Sequence, residues 1–323
     1  MRLKSSPWRL SIQLTCILSC LSLTTVTSAQ TGNGNAAPAG MQQTQEVDRS
    51  ADCNRACLRQ HADRYLKALA ANNPGSLEVT PTFQAAENSH PVVLGVNIWN
   101  TVQAIRPQRM YFTDPYAGQV LVLGVLEMHA NQPFIYAIRL KVEGGRLSEA
   151  ETMVTSERIA GQHFRPDLFA DSVPLLDSTL PQDQRRSRSE LLAIARVQLS
   201  YQAGTPPAVS GDCRHFENLD TDFSFNCRRV DGSGQSGPAF AESRNERTPL
   251  VDTEKGIVVG YALEDVARPQ SRTPPEGEKT PVFYYTPLTF YVIRLAKFTG
   301  DEYHMDGTFM NLQELGAPVV FTK

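Results

Sequence analysis

The sequence has no block of five or more basic residues, and its 31 Lys and Arg are slightly outnumbered by 34 Asp and Glu. A protein that holds phosphate backbones needs clustered positive charge, so we expect no nucleic acid partner. Also missing are a glycine-rich phosphate loop, an H-E-x-x-H motif and a G-x-S-x-G motif. Nucleotide use, zinc-peptidase chemistry and the commonest serine hydrolase arrangement therefore have no support. With 41% hydrophobic and 20% charged residues, the composition is that of a folded protein.

A long apolar run occupies the N-terminus, from about Leu10 to Val26, behind three basic residues. Small residues up to Ala29 then offer a signal-peptidase site, which predicts a cleaved export signal over 1–29 and a flexible linker over 30–49. We therefore expect a secreted or periplasmic protein that has no membrane contact after cleavage. The alternatives are a permanent anchor, although polar residues dilute the run, and a lipoprotein attached through Cys20.

Four of the six cysteines lie beyond the signal, and an even number in an oxidising compartment favours disulfides. Four cysteines allow three pairings. We favour local ones, Cys53 with Cys57 and Cys213 with Cys227, because the members of each pair are close in the chain. The alternative is a tetrahedral zinc site, but the C-x2-C spacing of zinc knuckles is missing. The sequence predicts no metal and no cofactor.

Two segments have the apolar spacing of amphipathic helices. The first extends from Leu58 to Leu69, and the second starts at the capping box Ser187–Glu190 and runs to Leu199. The segments after the two helices match each other in order, which indicates an internal repeat. The turn Asp114–Gly118 matches Asp252–Gly256, and each turn opens an apolar strand.

Each repeat combines one long helix with several strands joined by tight turns, which is an α+β pattern with an antiparallel meander. A lone antiparallel sheet must cover one face, so we expect each curved sheet to wrap its helix as a cone. The prediction is two tandem cone-shaped units, over 50–163 and 187–323, joined by a linker over 164–186.

Several short patterns after the first cysteines resemble known proteins. They are Cys53-x3-Cys57-Leu58, Tyr65-Leu66-x-Ala68-Leu69, Glu87-Asn88 and Leu94-Gly95-x3-Trp99. With the long strands beyond them, they resemble the nuclear transport factor 2-like cone of SnoaL-like polyketide cyclases, ketosteroid isomerases and scytalone dehydratase. They also resemble a family of secreted fungal and bacterial proteins of unknown function. The first resemblance implies a cavity between helix and sheet, and the second implies no particular activity.

Six residues are candidates to line such a cavity: His61, Tyr65, Trp99, Tyr136, His304 and Asp306. His61 and Tyr65 lie one helical turn apart, so both side chains can point the same way. Trp99 is the one tryptophan beyond the signal and is suited to the floor of a pocket. His304 and Asp306 share one face of a strand of the second unit. The alternatives are core packing for the first three residues and a solvated strand face for His304 and Asp306.

Two arginines carry a hypothesis about how the units pack. Arg139 and Arg294 alternate with the aliphatic sets Tyr136-Ile138-Leu140 and Tyr291-Ile293-Leu295. If both aliphatic sets face their helices, both arginines lie on the outer sheet faces. We expect the two sheets to pack back to back as an intrachain pseudo-dimer, with the arginines paired to carboxylates there.

Three functions are compatible with these sequence patterns. The first is a binding module that holds a small apolar molecule in a cone cavity. The second is an isomerase, cyclase or dehydratase that uses cavity groups for proton transfer without a cofactor, as the resemblance implies. The third is a non-catalytic interaction protein with filled cavities. Because one scaffold hosts all three, the contents of the cavity must discriminate between them.

Overall fold

The computed structural model describes residues 47–156, 164–169, 174–199, 208–219, 242–266, 270–272, 282–284, 288–300, 302–314 and 316–321. Glu46–Lys323 belongs to one compact unit. The fold is α+β, with most of these residues in the strands of curved sheets and few in helices. None of the helices in the described ranges is long and apolar enough to span a membrane. The predicted signal lies outside the described residues.

The first long helix, α1 (Arg55–Ala70), starts at a side-chain cap. The Asn54 side chain accepts a hydrogen bond from the backbone N–H of Cys57 at 3.0 Å, which satisfies one free amide of the first turn. After the helix the chain turns at Asn72, where φ is 47°, and enters the 3-10 turn Pro74–Ser76. The helix buries one face: Leu58, His61, Ala62, Tyr65, Leu66, Ala68 and Leu69.

The first sheet has six strands in the order β2-β1-β6-β5-β4-β3. Strands β3 to β6 form the expected antiparallel meander, whereas β1 pairs with β6 in parallel, with Val79 beside Leu147. This parallel pair places the segment after α1 next to the last strand of the sheet. A short helix α2 (Ile98–Thr101) precedes β3. The strands β1 to β6 are Val79–Glu87, His90–Val92, Val102–Asp114, Gln119–Met128, Gln132–Glu143 and Arg146–Thr155.

The second long helix, α4 (Arg188–Leu199), follows the short helix α3 (Pro174–Asp177). The predicted capping box is present, because Ser187 Oγ accepts from the Glu190 N–H and the Glu190 carboxylate accepts from the Ser187 N–H. The second sheet has the order β7-β13-β12-β9-β8, and β7 is parallel to β13. Strands β10 and β11 form a separate pair. The strands β7 to β13 are Ala208–Glu217, Glu242–Asp252, Ile257–Val266, Gln270–Arg272, Val282–Tyr284, Leu288–Thr299 and Glu302–Glu314.

The apolar core divides into three clusters. One lies between α1 and the first sheet and includes Leu66 and Ile138. A smaller one lies between α4 and the second sheet and includes Leu191. The third lies between the two sheets, where residues such as Leu123 and Val259 meet. The two sheets therefore pack against each other through the faces that point away from their helices.

The predicted side-chain orientation holds for the first sheet and is wrong for the second. In β5, Ala137 faces the second sheet and Leu140 faces α1, as expected. In β12, Ile293 faces the first sheet and the even-numbered residues face α4. Arg294 therefore lies on the α4 side, where it pairs with Glu264. A shift of one residue in the match between β5 and β12 moves every side chain to the opposite face.

Two buried aspartates make matching contacts across the interface between the sheets. Asp114, at the end of β3, pairs with Arg188 at the start of α4, at 3.1 Å. Asp252, at the end of β8, pairs with Arg55 at the start of α1, at 2.7 Å. Each aspartate also accepts a hydrogen bond from the backbone N–H of the residue before the other, at 2.9 and 2.8 Å. Each helix start is therefore tied to the strand end of the opposite sheet.

Candidate functional site

A pocket of about 80 Å³ opens where α1, the segment after it and β6 meet. The backbone N–H of Leu147 donates to the carbonyl of Glu78 at 3.0 Å, so the parallel start of β1 places Glu78 beside β6. His61 lies on the buried face of α1 opposite this edge. Six residues line the pocket: His61, Arg64, Ser76, Leu77, Glu78 and Leu147.

His61 provides the buried polar surface of the pocket. Only 6% of the residue is exposed, and neither ring nitrogen has a hydrogen-bond partner within the described part of the chain. Burial, followed by the positive charge of Arg64, lowers the pKa of His61, and Glu78 opposes this effect. The imidazole is therefore neutral near pH 7 and has one donor and one acceptor available.

The rim of the pocket carries one charge of each sign. Arg64, Ser76 and Glu78 are exposed, and Ser76 Oγ donates to the carbonyl of Asn73 at 2.8 Å. Within the described ranges, neither Arg64 nor Glu78 forms an ion pair. Both charged groups are therefore free to meet the polar groups of a ligand above His61.

Tyr65 and Trp99 lie in the packed interior and do not line the pocket. Their rings meet edge to face, with centroids 5.3 Å apart, and both residues are buried. Burial raises the pKa of Tyr65 to about 12, although hydrogen bonds to the side chains of Thr152 and Trp99 oppose the rise. The structure therefore brings Tyr65 and Trp99 together and separates them from the surface that His61 presents.

Tyr136 is also an interior residue. It faces Gly124 across the β4–β5 pair, and a Cβ at Gly124 would come within 2.5 Å of the Tyr136 hydroxyl. This hydroxyl has no hydrogen-bond partner in the described residues, and burial raises its pKa. Glycine at this position therefore makes room for the ring, which fills part of the space beneath α1.

The two candidates of the second sheet are not part of this pocket. His304 lies on β13, and its Nε2 is 3.6 Å from a carboxylate oxygen of Glu302. The backbone of Asp306 lies between Ala296 of β12 and His215 of β7. The side chain of Asp306 is outside the described residues.

Cys53 and Cys57 form a disulfide next to His61. This confirms the first predicted pair. The two sulfur atoms and a ring nitrogen of His61 all lie within 4.8 Å of one another. Cys213 is also disulfide-bonded, whereas Cys227 lies outside the described residues, so the second predicted pair stays a prediction.

The first sheet buries a network of charges on its other face, which sequence reasoning identified only through Arg139. The Glu151 carboxylate accepts from Arg139 Nε at 2.8 Å, from the Tyr291 hydroxyl at 2.7 Å and from Arg247. Burial alone would raise the pKa of Glu151, but Arg247 and Arg139 bring it down to about 2. The ring of Phe321 covers both arginines, at 4.9 and 5.7 Å. The space there is about 10 Å³, which has room for no more than about one water molecule.

Sequence reasoning found His61 but missed the rim of the pocket. The signal for Arg64 was available, because it lies three residues after His61 on the same side of the helix. Ser76 and Glu78 carry no comparable signal. They reach the pocket only because β1 pairs in parallel with β6.

Comparisons with known proteins give a similarity to solved structures alone. No family model matches the chain, and no curated protein matches it. Among solved structures, the chain is similar to an NTF2-like protein from Cytophaga hutchinsonii, at 15% identity and a TM-score of 0.25. The match covers 32% of this chain and 98% of that one. No conclusion about a ligand or a reaction follows from it.

Proposed function

We propose that this chain is a small-molecule-binding protein whose ligand site is the pocket over His61. One observation carries the proposal: a side chain with 6% exposure lines the pocket and has no hydrogen-bond partner in the described residues. Neither ring nitrogen is among the fully buried side-chain atoms that lack a partner, so both are reached from the pocket, where a ligand can take the place of water as their partner.

The size and lining of the pocket indicate the ligand class. Pockets for drug-sized molecules have volumes of about 300–1,000 Å³, so about 80 Å³ suits a molecule of only a few heavy atoms. Four of the six lining residues are polar, and the rim offers the cation Arg64 and the anion Glu78. The lining therefore changes the expectation from an apolar ligand to a small polar one that carries an amine, a carboxylate or both.

Protein-observed NMR of the His61 ring is the direct test. We expect small amines, carboxylates and amino acids to shift the ring resonances of His61, and apolar molecules of equal size to leave them unchanged. The variant His61→Leu should abolish binding, because it removes the polar floor and retains the volume. The matched control is His90→Leu, since His90 is exposed on β2 and binding should survive there. If no compound shifts His61, or if binding persists in His61→Leu, the proposal is wrong.

A second candidate is an enzyme that transfers a proton. The observation in its favour is the neutral, unpaired imidazole. A general base must be deprotonated at the operating pH and must have a free nitrogen to accept the proton. Its test is exchange of a C–H proton of the bound molecule for deuterium in heavy water. Exchange that stops in His61→Leu supports the enzyme. Binding without exchange supports the binding module alone.

We also infer that the chain is a tandem duplication in which two units form an intrachain pseudo-dimer. The support is the shared strand order and the exchange of contacts between Asp114 and Asp252, since a two-fold interface repeats each contact from both sides. Export to an oxidising compartment is part of the same proposal. The Cys53–Cys57 disulfide supports it, and N-terminal sequencing of the secreted protein should begin after Ala29.

A further inference from the structure

Three soft-metal ligands recur at every fourth residue along the start of α1. Cys53 precedes the helix, Cys57 lies in its first turn and His61 lies one turn further on. Cys57 and His61 lie four residues apart and share one face of the helix, and the disulfide holds Cys53 beside Cys57. Cys53 and His61 are buried and Cys57 is half-buried, and all three donor atoms lie within 4.8 Å.

A metal ion requires defined separations between its ligand atoms. Zinc binds sulfur at about 2.3 Å and nitrogen at about 2.0 Å, so ligand atoms in a tetrahedral site are about 3.5–3.8 Å apart. In the disulfide the two sulfur atoms are 2.04 Å apart, so after reduction they must separate by about 1.7 Å. The ring nitrogen of His61 lies within 4.8 Å of both and must approach by at most about 1.3 Å, and rotation of the three side chains can supply both movements. The disulfide opposes metal binding, because its sulfur atoms are bonded to each other and neither is a thiolate.

We propose that reduction of the Cys53–Cys57 disulfide creates a three-ligand site for a thiophilic divalent ion such as Zn²⁺, with His61 as the third ligand. The reductant, a phosphine or a dithiol, supplies two electrons to the S–S bond and is itself oxidised. Each sulfur gains a proton, and metal binding then releases these two protons to solvent as the thiolates form.

The pocket supplies the fourth position of this site. Because His61 lines the pocket, an ion held by His61 would face the same opening, where a water molecule or a small ligand completes the tetrahedron. Three protein ligands with an open fourth position are typical of catalytic zinc sites, whereas structural sites use four protein ligands. The inference deepens the proposed function, since it shares the pocket, but the metal is a different ligand under different redox conditions.

Cobalt is the probe, because its complexes with thiolates absorb in the near ultraviolet and its tetrahedral complexes absorb in the visible. The full chain is reduced with a phosphine under anaerobic conditions, freed of reductant and titrated with Co²⁺. We expect one tightly bound ion per chain in the reduced protein, none in the oxidised protein, and displacement by Zn²⁺. Equal binding by the oxidised protein, or no binding by the reduced one, overturns the proposal.

Variants identify the ligands. Cys57→Ser should weaken cobalt binding and reduce the thiolate band by at least half, because only Cys53 then supplies a thiolate, and His61→Ala should weaken cobalt binding at least tenfold. The matched control is Cys213→Ser, which removes a disulfide cysteine of the second sheet and should leave the titration unchanged. An unchanged titration in His61→Ala overturns the assignment.

A measurement on the wild type tests the same ligands in case the variants fail to fold. Cadmium NMR of the reduced protein reports the number of thiolate ligands, and the His61 ring resonances should shift with the same stoichiometry. A cadmium site that leaves His61 unshifted overturns the proposal. If the oxidised protein binds no small molecule, the proposed function is wrong, but the cobalt and cadmium results are unaffected. Failure of the proposed function and failure of the metal proposal are therefore distinguishable.

Discussion

The first sheet buries polar side chains on both of its faces, in opposite ways. On the α1 side, His61 is buried without a hydrogen-bond partner in the described residues and lies at the floor of a pocket. On the other side, Glu151 is also buried, but three donors from both sheets surround it. Burial alone therefore does not distinguish a binding group from a structural one. The presence or absence of partners does.

The largest effect on stability should come from removing Glu151, the centre of the buried charge network. In Glu151→Leu, two arginines stay buried without their shared carboxylate, so we expect a loss of about 3–5 kcal/mol in the free energy of unfolding. Urea denaturation measures it. The matched control is Glu127→Leu, because Glu127 and Arg106 form a partly exposed pair whose loss should cost less than about 1 kcal/mol. Equal losses in the two variants would contradict a structural role for the network.

Acid should remove the same contribution without a mutation. The pKa of Glu151 is lowered from 4.5 to about 2, so its stabilising effect is complete above pH 4.5 and is lost as the pH falls towards 2. A shift of this size corresponds to about 3 kcal/mol. The difference in stability between the wild type and Glu151→Gln should therefore shrink over this pH range in urea titrations. A difference that stays constant to pH 2 would show that Glu151 titrates normally.

The matching aspartates sharpen the comparison between the two sheets. Asp114→Asn and Asp252→Asn each weaken a charged hydrogen bond to an arginine and to a backbone amide, so we expect each to cost about 1.5–3 kcal/mol. Denaturation of both variants should give losses within about 1 kcal/mol of each other. Asp177→Asn is the control, since Asp177 is exposed. A large loss in only one of the pair would contradict the pseudo-dimer.

The smallest effect should come from the other side of the first sheet. His61→Leu replaces an unpaired polar group by an apolar one of similar size, which is nearly neutral or slightly stabilising, within about 1 kcal/mol. A thermal melt beside the Glu151→Leu variant makes the contrast direct. A loss above about 2 kcal/mol would show that His61 has a structural partner.

Local patterns predicted the helices and the first disulfide. The apolar spacing identified α1, and Ser187 with Glu190 identified the start of α4, because a capping box acts within one turn of the chain. Cys53 and Cys57 were paired correctly because they are only 4 residues apart in the chain. These features depend on neighbours a few residues apart.

The orientation of β12 was predicted wrongly because strand periodicity has two equivalent phases. Ile293 and Arg294 alternate in the sequence whichever of them faces the first sheet. The hydrogen bond from Phe298 to the carbonyl of Gly256 matches that from Val142 to Gly118, and it places the register one residue from the predicted match. Only pairing between strands resolves this choice.

By itself, the sequence determined the two long helices, the strand-forming segments and which side chains share a strand face, since these depend on short-range periodicity and caps. The tertiary structure decided which polar side chains have partners. Glu151 is paired because β12 and β8 of the second sheet bring Tyr291 and Arg247 to it. His61 is unpaired because the parallel start of β1 leaves a pocket there. Both outcomes depend on contacts between distant segments, which no local pattern encodes.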